Sequence, residues 1–300
     1  MKKIDRVLFI GSKKSGLLTL QHIFSQDPKS LIGIITIDDR DDTRSAFLQI
    51  RSFASKNKIK LFVARNARNA ESIIKQLQPQ LCFVQGWYWL FNEAILKSVP
   101  RGFLGVHFSL LPKYRGCAPV VWAMINGEKE TGVSLFEFTK EMDAGRIFAQ
   151  KKVNIGFKDS INDVLIKLDT QTHRILKKNY LKILRGYLRS KNQKKKGASY
   201  GRRRYPEDGL IDWRKSSREI YNFIRAQSAP YPGAFTMYRG KRLTVWRAEP
   251  PKKIHHGFPG QIVQITKEGV HVVCGDQHLI FLKNIDIMPN SIKSVKAQFY

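Results

Sequence analysis

Three short apolar runs alternate with helix-like segments in the first hundred residues, and this alternation restricts the fold more than any other feature. RVLFIG (6–11), LIGIITIDD (31–39) and LCFVQGW (81–87) are continuous apolar stretches, the first stopped by a glycine. Between them, GLLTLQHIFSQ and AESIIKQLQPQ carry apolar residues at helical spacing. Strands that are apolar on both faces and separated by helices predict an α/β chain with a doubly wound, Rossmann-like parallel sheet. Ligands of such sheets sit beyond the carboxyl ends of the strands, which is where Gly11, Asp38 and Gln85–Trp87 fall.

The pattern changes toward the C-terminus. A helix is expected from Ser160 to about Gly186, opened by the Asp159–Ser160 pair, and a basic run follows it. RRRYPEDGLIDW contains a Pro and Gly turn, so the domain boundary is placed there, dividing the chain into residues 1–203 and 204–300. After a helix around Ser216–Gln227 and the turn-rich PYPGAF, the segments KRLTVWRAE, GQIVQIT, GVHVVCG and HLIFLKNI read as short strands. They predict a smaller C-terminal β-rich domain, an OB-like barrel, which offers a surface for a homodimer.

Charge bears on partners. The chain has 53 Lys and Arg against 24 Asp and Glu, a formal net charge of +29. Such a field favours anionic partners, although most of these residues are spread along the chain as ordinary surface decoration. The dense exception is LKILRGYLRSKNQKKKGASYGRRR (181–204). No apolar run approaches the roughly 18 residues of a membrane-spanning helix, so no membrane insertion is expected. MKKIDRVLFIGSKKSG mimics a signal peptide but lacks a cleavage site, and the expected location is the cytoplasm. Cys82, Cys117 and Cys274 have no metal-ligand spacing, so neither a zinc site nor a disulfide framework is expected. All three are read as packing residues.

The chemically informative stretch is GVHFSLLPKYRGCAPVVWAMINGEKETGVSLFEFTKEMDAGRIFAQ (105–150). A histidine with a carboxylate is the minimal arrangement for a general base whose protonated form is stabilised. His107 and Asp143 are far apart in sequence, so only folding could join them, and on spacing alone a structural histidine remains the stronger reading. The ordered set HFSLLPKYRG, AP, W, ING, TGVS and DAG, however, resembles the signature of 10-formyltetrahydrofolate-dependent formyltransferases. GRRRYPEDGLIDW, IRAQSAPYPGAFT and LTVW extend the resemblance over most of the chain. It comes closest to the sugar-nucleotide branch, such as the domain that formylates UDP-4-amino-arabinose.

The resemblance implies 10-formyltetrahydrofolate as co-substrate, no metal, and direct attack by an amine. It makes His107 the catalytic base and Asp143 the residue that orients it. The family carries Asn two positions before the histidine, as an oxyanion donor, and this chain has Gly105 there. Losing one such donor costs about 10²–10³ in rate unless something substitutes. Gln85, Gly86, Trp87 and Leu110, with Asp143, become candidate folate contacts, with core packing an equal reading for Trp87. Ser109, Tyr114, Arg115, Lys13 and Arg225 become candidate acceptor contacts. Ser109 reads better as a pin for its loop than as a nucleophile. Gly11 and Gly16 resemble a phosphate loop but fit a plain tight turn equally well.

A nucleotide-linked amino sugar is the expected acceptor, with a homodimer as the assembly the second domain offers. Methionyl-tRNA is the weaker alternative, because tRNA-directed members carry a longer basic insertion where this chain has TIDDRDDTRSAFLQI (36–50), with four aspartates that would repel tRNA. A non-catalytic folate- or nucleotide-binding homologue is the third reading, motivated by Gly105.

Overall fold

The structure is a computed structural model that describes residues 3–286 and 298–299. The chain begins β1 (Val7–Gly11), α1 (Lys13–Gln26), β2 (Leu31–Thr36), α2 (Phe47–Lys56), β3 (Leu61–Val63), α3 (Ala67–Leu77), β4 (Leu81–Gln85), α4 (Glu93–Ser98) and β5 (Phe103–His107). It continues through β6 (Arg115–Gly116), α5 (Pro119–Ile125), β7 (Glu130–Glu137), β8 (Ile147–Asn154), α6 (Ile161–Leu184) and β9 (Tyr200–Gly201). The remainder is α7 (Ser217–Gln227), β10 (Ala234–Tyr238), β11 (Lys241–Ile254), β12 (Ile262–Ile265), β13 (Gly269–Val273) and β14 (His278–Ile285). Two compact units result. One comprises Met1–Gly116, Thr131–Val153 and Ile166–Gly201, and the other Cys117–Glu130, Asn154–Leu165 and Arg202–Tyr300.

The first unit is built on a sheet of order β3-β2-β1-β4-β5-β7-β8. The strands from β3 to β5 are parallel, and β7 pairs antiparallel with β5. Every residue of β1, β4 and β5 is buried, which is why these segments read as unbroken apolar runs. Alternation sends Leu8, Ile10, Cys82 and Val84 to one face, where they pack with Ile73 and Ile74 of α3 and Ile95 of α4. Phe83 points to the other face, edge-on to Tyr180 of α6. The expected α/β sheet is therefore present, with one antiparallel addition.

The turn after β1 is tight because β4 lies against it. A Cβ on Gly11 would collide with the carbonyl of Gln85, and Ser12 donates its hydroxyl to the carbonyl of Gly86 at 2.6 Å. The glycine thus serves a close backbone approach.

The second unit carries an antiparallel sheet of order β10-β11-β14-β13-β12, the expected β-rich part. α7 opens with a capping box between Ser216 and Glu219, so the predicted helix start is also its observed start. The core joins Ile220 and Ile224 of α7 to Val245, Val270 and Leu282 of the sheet, and Trp213 stacks on Phe299. Cys82 and Cys274 are buried, and burial pushes the Cys274 thiol up to about 12. Cys117 is exposed, so the packing reading fails for that residue. Among the described residues, no helix is long and apolar enough to cross a membrane.

In α6, burial pushes the Asp169 carboxyl up to about 6, only partly opposed by Lys14. The folded state therefore holds a proton that the unfolded state releases near 3.8. Stability should fall as pH rises between those values and stay reduced above about 6. Replacing Asp169 by Asn removes the ionised form, so D169N should melt above wild type at pH 8 and coincide with it below pH ~4. Thermal unfolding of both proteins across that range checks the sign.

Candidate active site

β5 lies between β4 and β7 and carries His107, 9 % exposed, to the carboxyl edge of the parallel strands. The loop that follows is held by short-range bonds. The Ser109 hydroxyl donates to the carbonyl of Lys113 at 2.7 Å, and the Ser134 hydroxyl donates to the carbonyl of Ser109 at 2.7 Å. The Ser109 hydroxyl is thus engaged inside its own loop.

Tyr114 adopts φ 56° and Asp143 φ 51°, both left-handed, a backbone that costs roughly 1 kcal/mol or more for non-glycine residues. The Tyr114 turn aims its carbonyl at His107, whose Nε2–H donates to it at 2.7 Å. A carbonyl can only accept, so in this ring orientation Nε2 carries the proton. The other ring nitrogen, Nδ1, faces Oδ2 of Asp143 at 3.6 Å, an ion-pair distance beyond hydrogen-bond range. The same Oδ2 accepts the N–H of Gly116 at 2.6 Å. Folding thus brings together the two residues that sequence could only nominate. Phe136 contacts the imidazole edge-on, with ring centroids 6.0 Å apart.

Gly105 lies two residues earlier, paired with Val84 on one side and Phe136 on the other. A Cβ there would collide with the Phe138 ring and lie 2.7 Å from the carbonyl of Val84. The volume a side chain at 105 would need is already filled by Phe138, which stacks on Phe136 at 5.1 Å.

Arg115 is 7 % exposed, and the partners it donates to are neutral: the Gln193 side-chain oxygen at 3.1 and 2.8 Å and the Tyr200 hydroxyl at 2.9 Å. Gln85 ends β4, buried, and Gly86 follows with φ 68°. Among the described residues, neither Gln85 Oε1 nor the indole N–H of Trp87 has a hydrogen-bond partner, although both atoms are buried. Trp87 also stacks on Phe91 at 5.9 Å, so its ring is partly core. Leu110 lines a cavity of about 590 Å³ with Gln150, Lys152, Arg189 and Lys191.

Two candidate acceptor contacts are engaged within the protein. Lys13 Nζ is held by Asp39 at 2.9 Å and Asp42 at 2.6 Å, over the ring of Tyr88. Burial works against ionisation of Asp42, but hydrogen bonds from Arg44 and Lys13 outweigh it and hold the carboxyl well below its usual range. Arg225, in the second unit, bonds Asn222 Oδ1 and the carbonyls of Gly156 and Asp159, each at 3.0 Å. Its guanidinium anchors the loop before α6, and burial lowers its pKa. The sequence reading passed over Phe138, Ser134, Gln193 and Tyr200. Among the described residues, no three His, Cys, Asp or Glu side chains gather to hold a metal ion.

Two family descriptions match the chain: "Formyl transferase" over residues 6–179 and "Formyl transferase, C-terminal domain" over residues 204–297. The bifunctional polymyxin resistance protein ArnA of Wigglesworthia glossinidia brevipalpis is 35% identical over 246 residues, which span 81% of this chain and 38% of that protein. The methionyl-tRNA formyltransferase of Caldanaerobacter subterraneus subsp. tengcongensis is 30% identical over 284 residues, 93% of this chain and 91% of that one. Among solved structures, WlaRD, a sugar 3N-formyl transferase determined in the presence of dTDP and 5-N-formyl-THF, has TM-score 0.69 at 19% identity. That superposition covers 93% of this chain and 97% of WlaRD, and it shows a shared fold.

The filled space beside Gly105 has a measurable consequence. G105N should lower stability by about 1–3 kcal/mol, the usual range for overpacking a dense interior. Adding F138A should recover part of that loss, because the ring accounts for one clash and the Val84 carbonyl for the other. Urea unfolding of the two single variants and the double variant measures the coupling, and a G105N protein as stable as wild type would contradict the packing.

Proposed function

The chain belongs to the formyl transferase family, and from that premise we propose that it moves a formyl group from 10-formyltetrahydrofolate directly onto the amine of a nucleotide-linked amino sugar. The observation that carries this reading is the pairing of His107 with Asp143 at the carboxyl edge of the sheet. As the amine attacks the formyl carbon it must lose a proton, and His107 Nδ1 is the ring nitrogen with a free lone pair. With the proton taken there, both ring N–H groups face acceptors, Nδ1 the Asp143 carboxylate and Nε2 the Tyr114 carbonyl. Collapse of the tetrahedral intermediate breaks the bond to N10 of the folate, which leaves as tetrahydrofolate after taking up a proton.

Gly105 offers no side-chain donor to the oxyanion. The substitutes on this loop are the protonated His107 and the positive field of Arg115, which is buried among neutral partners. The unpartnered acceptor on Gln85 and donor on Trp87 support folate binding at the end of β4, since a pterin edge presents both kinds of group. We also place the start of the β-rich domain at residue 204, supported by the family match that begins there.

The sugar acceptor is supported by the likeness to ArnA and to a sugar formyltransferase. The likeness to a methionyl-tRNA formyltransferase keeps tRNA as the second reading. The acidic segment after β2 no longer weighs against tRNA, because Asp38, Asp39 and Asp42 are paired with Arg40, Lys13 and Arg44.

The test is tetrahydrofolate release with UDP- and dTDP-linked amino sugars and charged initiator tRNA as acceptors. Turnover with a sugar is expected, and H107A should reduce it by about 10²–10⁴-fold, the range for losing a general base. Turnover with tRNA alone would replace the acceptor. Folate binding without turnover on any acceptor would favour a homologue that binds and does not react.

A further inference from the structure

Residues 180–203 fall between the two stretches that match the family. The lysines and arginines from 182 to 196 are all exposed, so the segment reads as surface decoration. Its backbone and its uncharged side chains behave differently. The backbone of Lys191 exchanges both hydrogen bonds with Ile147 at the sheet edge, at 2.8 and 2.9 Å. Further on, the Ser199 hydroxyl accepts the N–H of Tyr114 at 2.9 Å, the Ser199 carbonyl accepts that of Arg115 at 2.8 Å, and β9 pairs with β6. The segment is a strap across the loops that carry the catalytic pair.

Gln193 sits between those two attachments. Its Nε2 donates to the carbonyls of Asp143 and Gly145, both at 2.7 Å, while its Oε1 accepts from Nε and Nη2 of Arg115 at 3.1 and 2.8 Å. Both hydrogens and both lone pairs of the amide are therefore in use. Only an amide supplies the two kinds of group at once: a carboxylate at 193 could hold Arg115 but not the two carbonyls, and a cation the reverse. The two carbonyls belong to the turn whose left-handed residue is Asp143 itself.

We propose that Gln193 is a positioning residue for formyl transfer, clamping the Asp143 turn to the Arg115–Gly116 strand so that the carboxylate stays against His107. The catalytic consequence rests on the function proposed above, while the clamp itself can be tested without it. Gly116 N–H donates to Asp143 Oδ2, so its exchange with solvent reports whether the carboxylate is in place.

The decisive variant is Q193E, which keeps an acceptor for Arg115 and removes the donors to the turn. Amide exchange by NMR on the substrate-free protein should show Gly116 exchanging at least about tenfold faster, with Phe83 in β4 unchanged as the internal reference. In turnover, kcat should fall about tenfold or more while the folate KM stays within about threefold, as expected when geometry at the reacting centre is loosened. If Gln193 only props Arg115, Q193E will match wild type in both readouts, and the proposal is overturned. Should Q193E fail to fold, Q193M, which has similar length and none of the four bonds, decides by the same exchange measurement. A wild-type protein without turnover would count against the proposed function, and the exchange result would still judge the clamp.

Discussion

Oδ2 of Asp143 accepts the Gly116 N–H at 2.6 Å and faces His107 Nδ1 at 3.6 Å, so one oxygen links the end of β5, the strand β6 and the turn between β7 and β8. A charge-assisted bond of this kind contributes about 1.5–3 kcal/mol, comparable to the strain of the left-handed backbone at Asp143 and Tyr114 together. The turn can therefore hold an unfavourable conformation only while that bond and its neighbours are formed. The pair is not an isolated dyad set on a rigid sheet. It is one contact in a mutually dependent set that includes the Tyr114 carbonyl on the imidazole, the Ser199 bonds to Tyr114 and Arg115, and the Gln193 amide.

Gly105 changes the character of the wall beside this set. With Phe138 filling the space next to its Cα, the strand end presents aromatic surface where a polar side chain would otherwise stand. A low-polarity wall strengthens the remaining electrostatic interactions, because charges there are less screened. It also leaves fewer donors for a developing negative charge. The buried Arg115, whose guanidinium donates to the neutral side chains of Gln193 and Tyr200, then contributes net positive charge close to the loop. The two features fit each other: an apolar wall raises the influence of a buried cation such as Arg115.

The fold was legible where burial is two-sided. β1, β2 and β4 are wholly or nearly wholly buried, so their sequences are apolar without interruption, and the Asp159–Ser160 pair marked the start of α6. His107 and Asp143 were legible only through the ordered motif around them, since neither spacing nor composition joins them. The partners that sequence missed carry no signal of their own. Gln193 lies in a run of lysines, and Phe138 looks like any core aromatic. Lys13 could be suspected of meeting a phosphate because nothing in the sequence shows that Asp39 and Asp42 reach it across the end of β2. Arg225 looked available for the same reason: its carbonyl partners are backbone atoms, which any sequence supplies.

Net charge by itself says little about where a partner would bind. A value of +29 suggests a protein organised around anionic partners, and the acidic stretch after β2 suggests a local exception. In the structure Asp38, Asp39 and Asp42 are locked to Arg40, Lys13 and Arg44, so that stretch projects little negative field. The basic strap divides its residues by direction: exposed cations face solvent, while Gln193 and Ser199 hold the loops that carry Asp143 and Tyr114. Surface electrostatics and loop geometry are thus carried by different groups of one segment. An anion gathered by the lysines would act on the same backbone that holds Asp143 in place, whereas lysines scattered elsewhere on the surface would have no such lever. The position of the charge in this fold therefore carries more information than its sum.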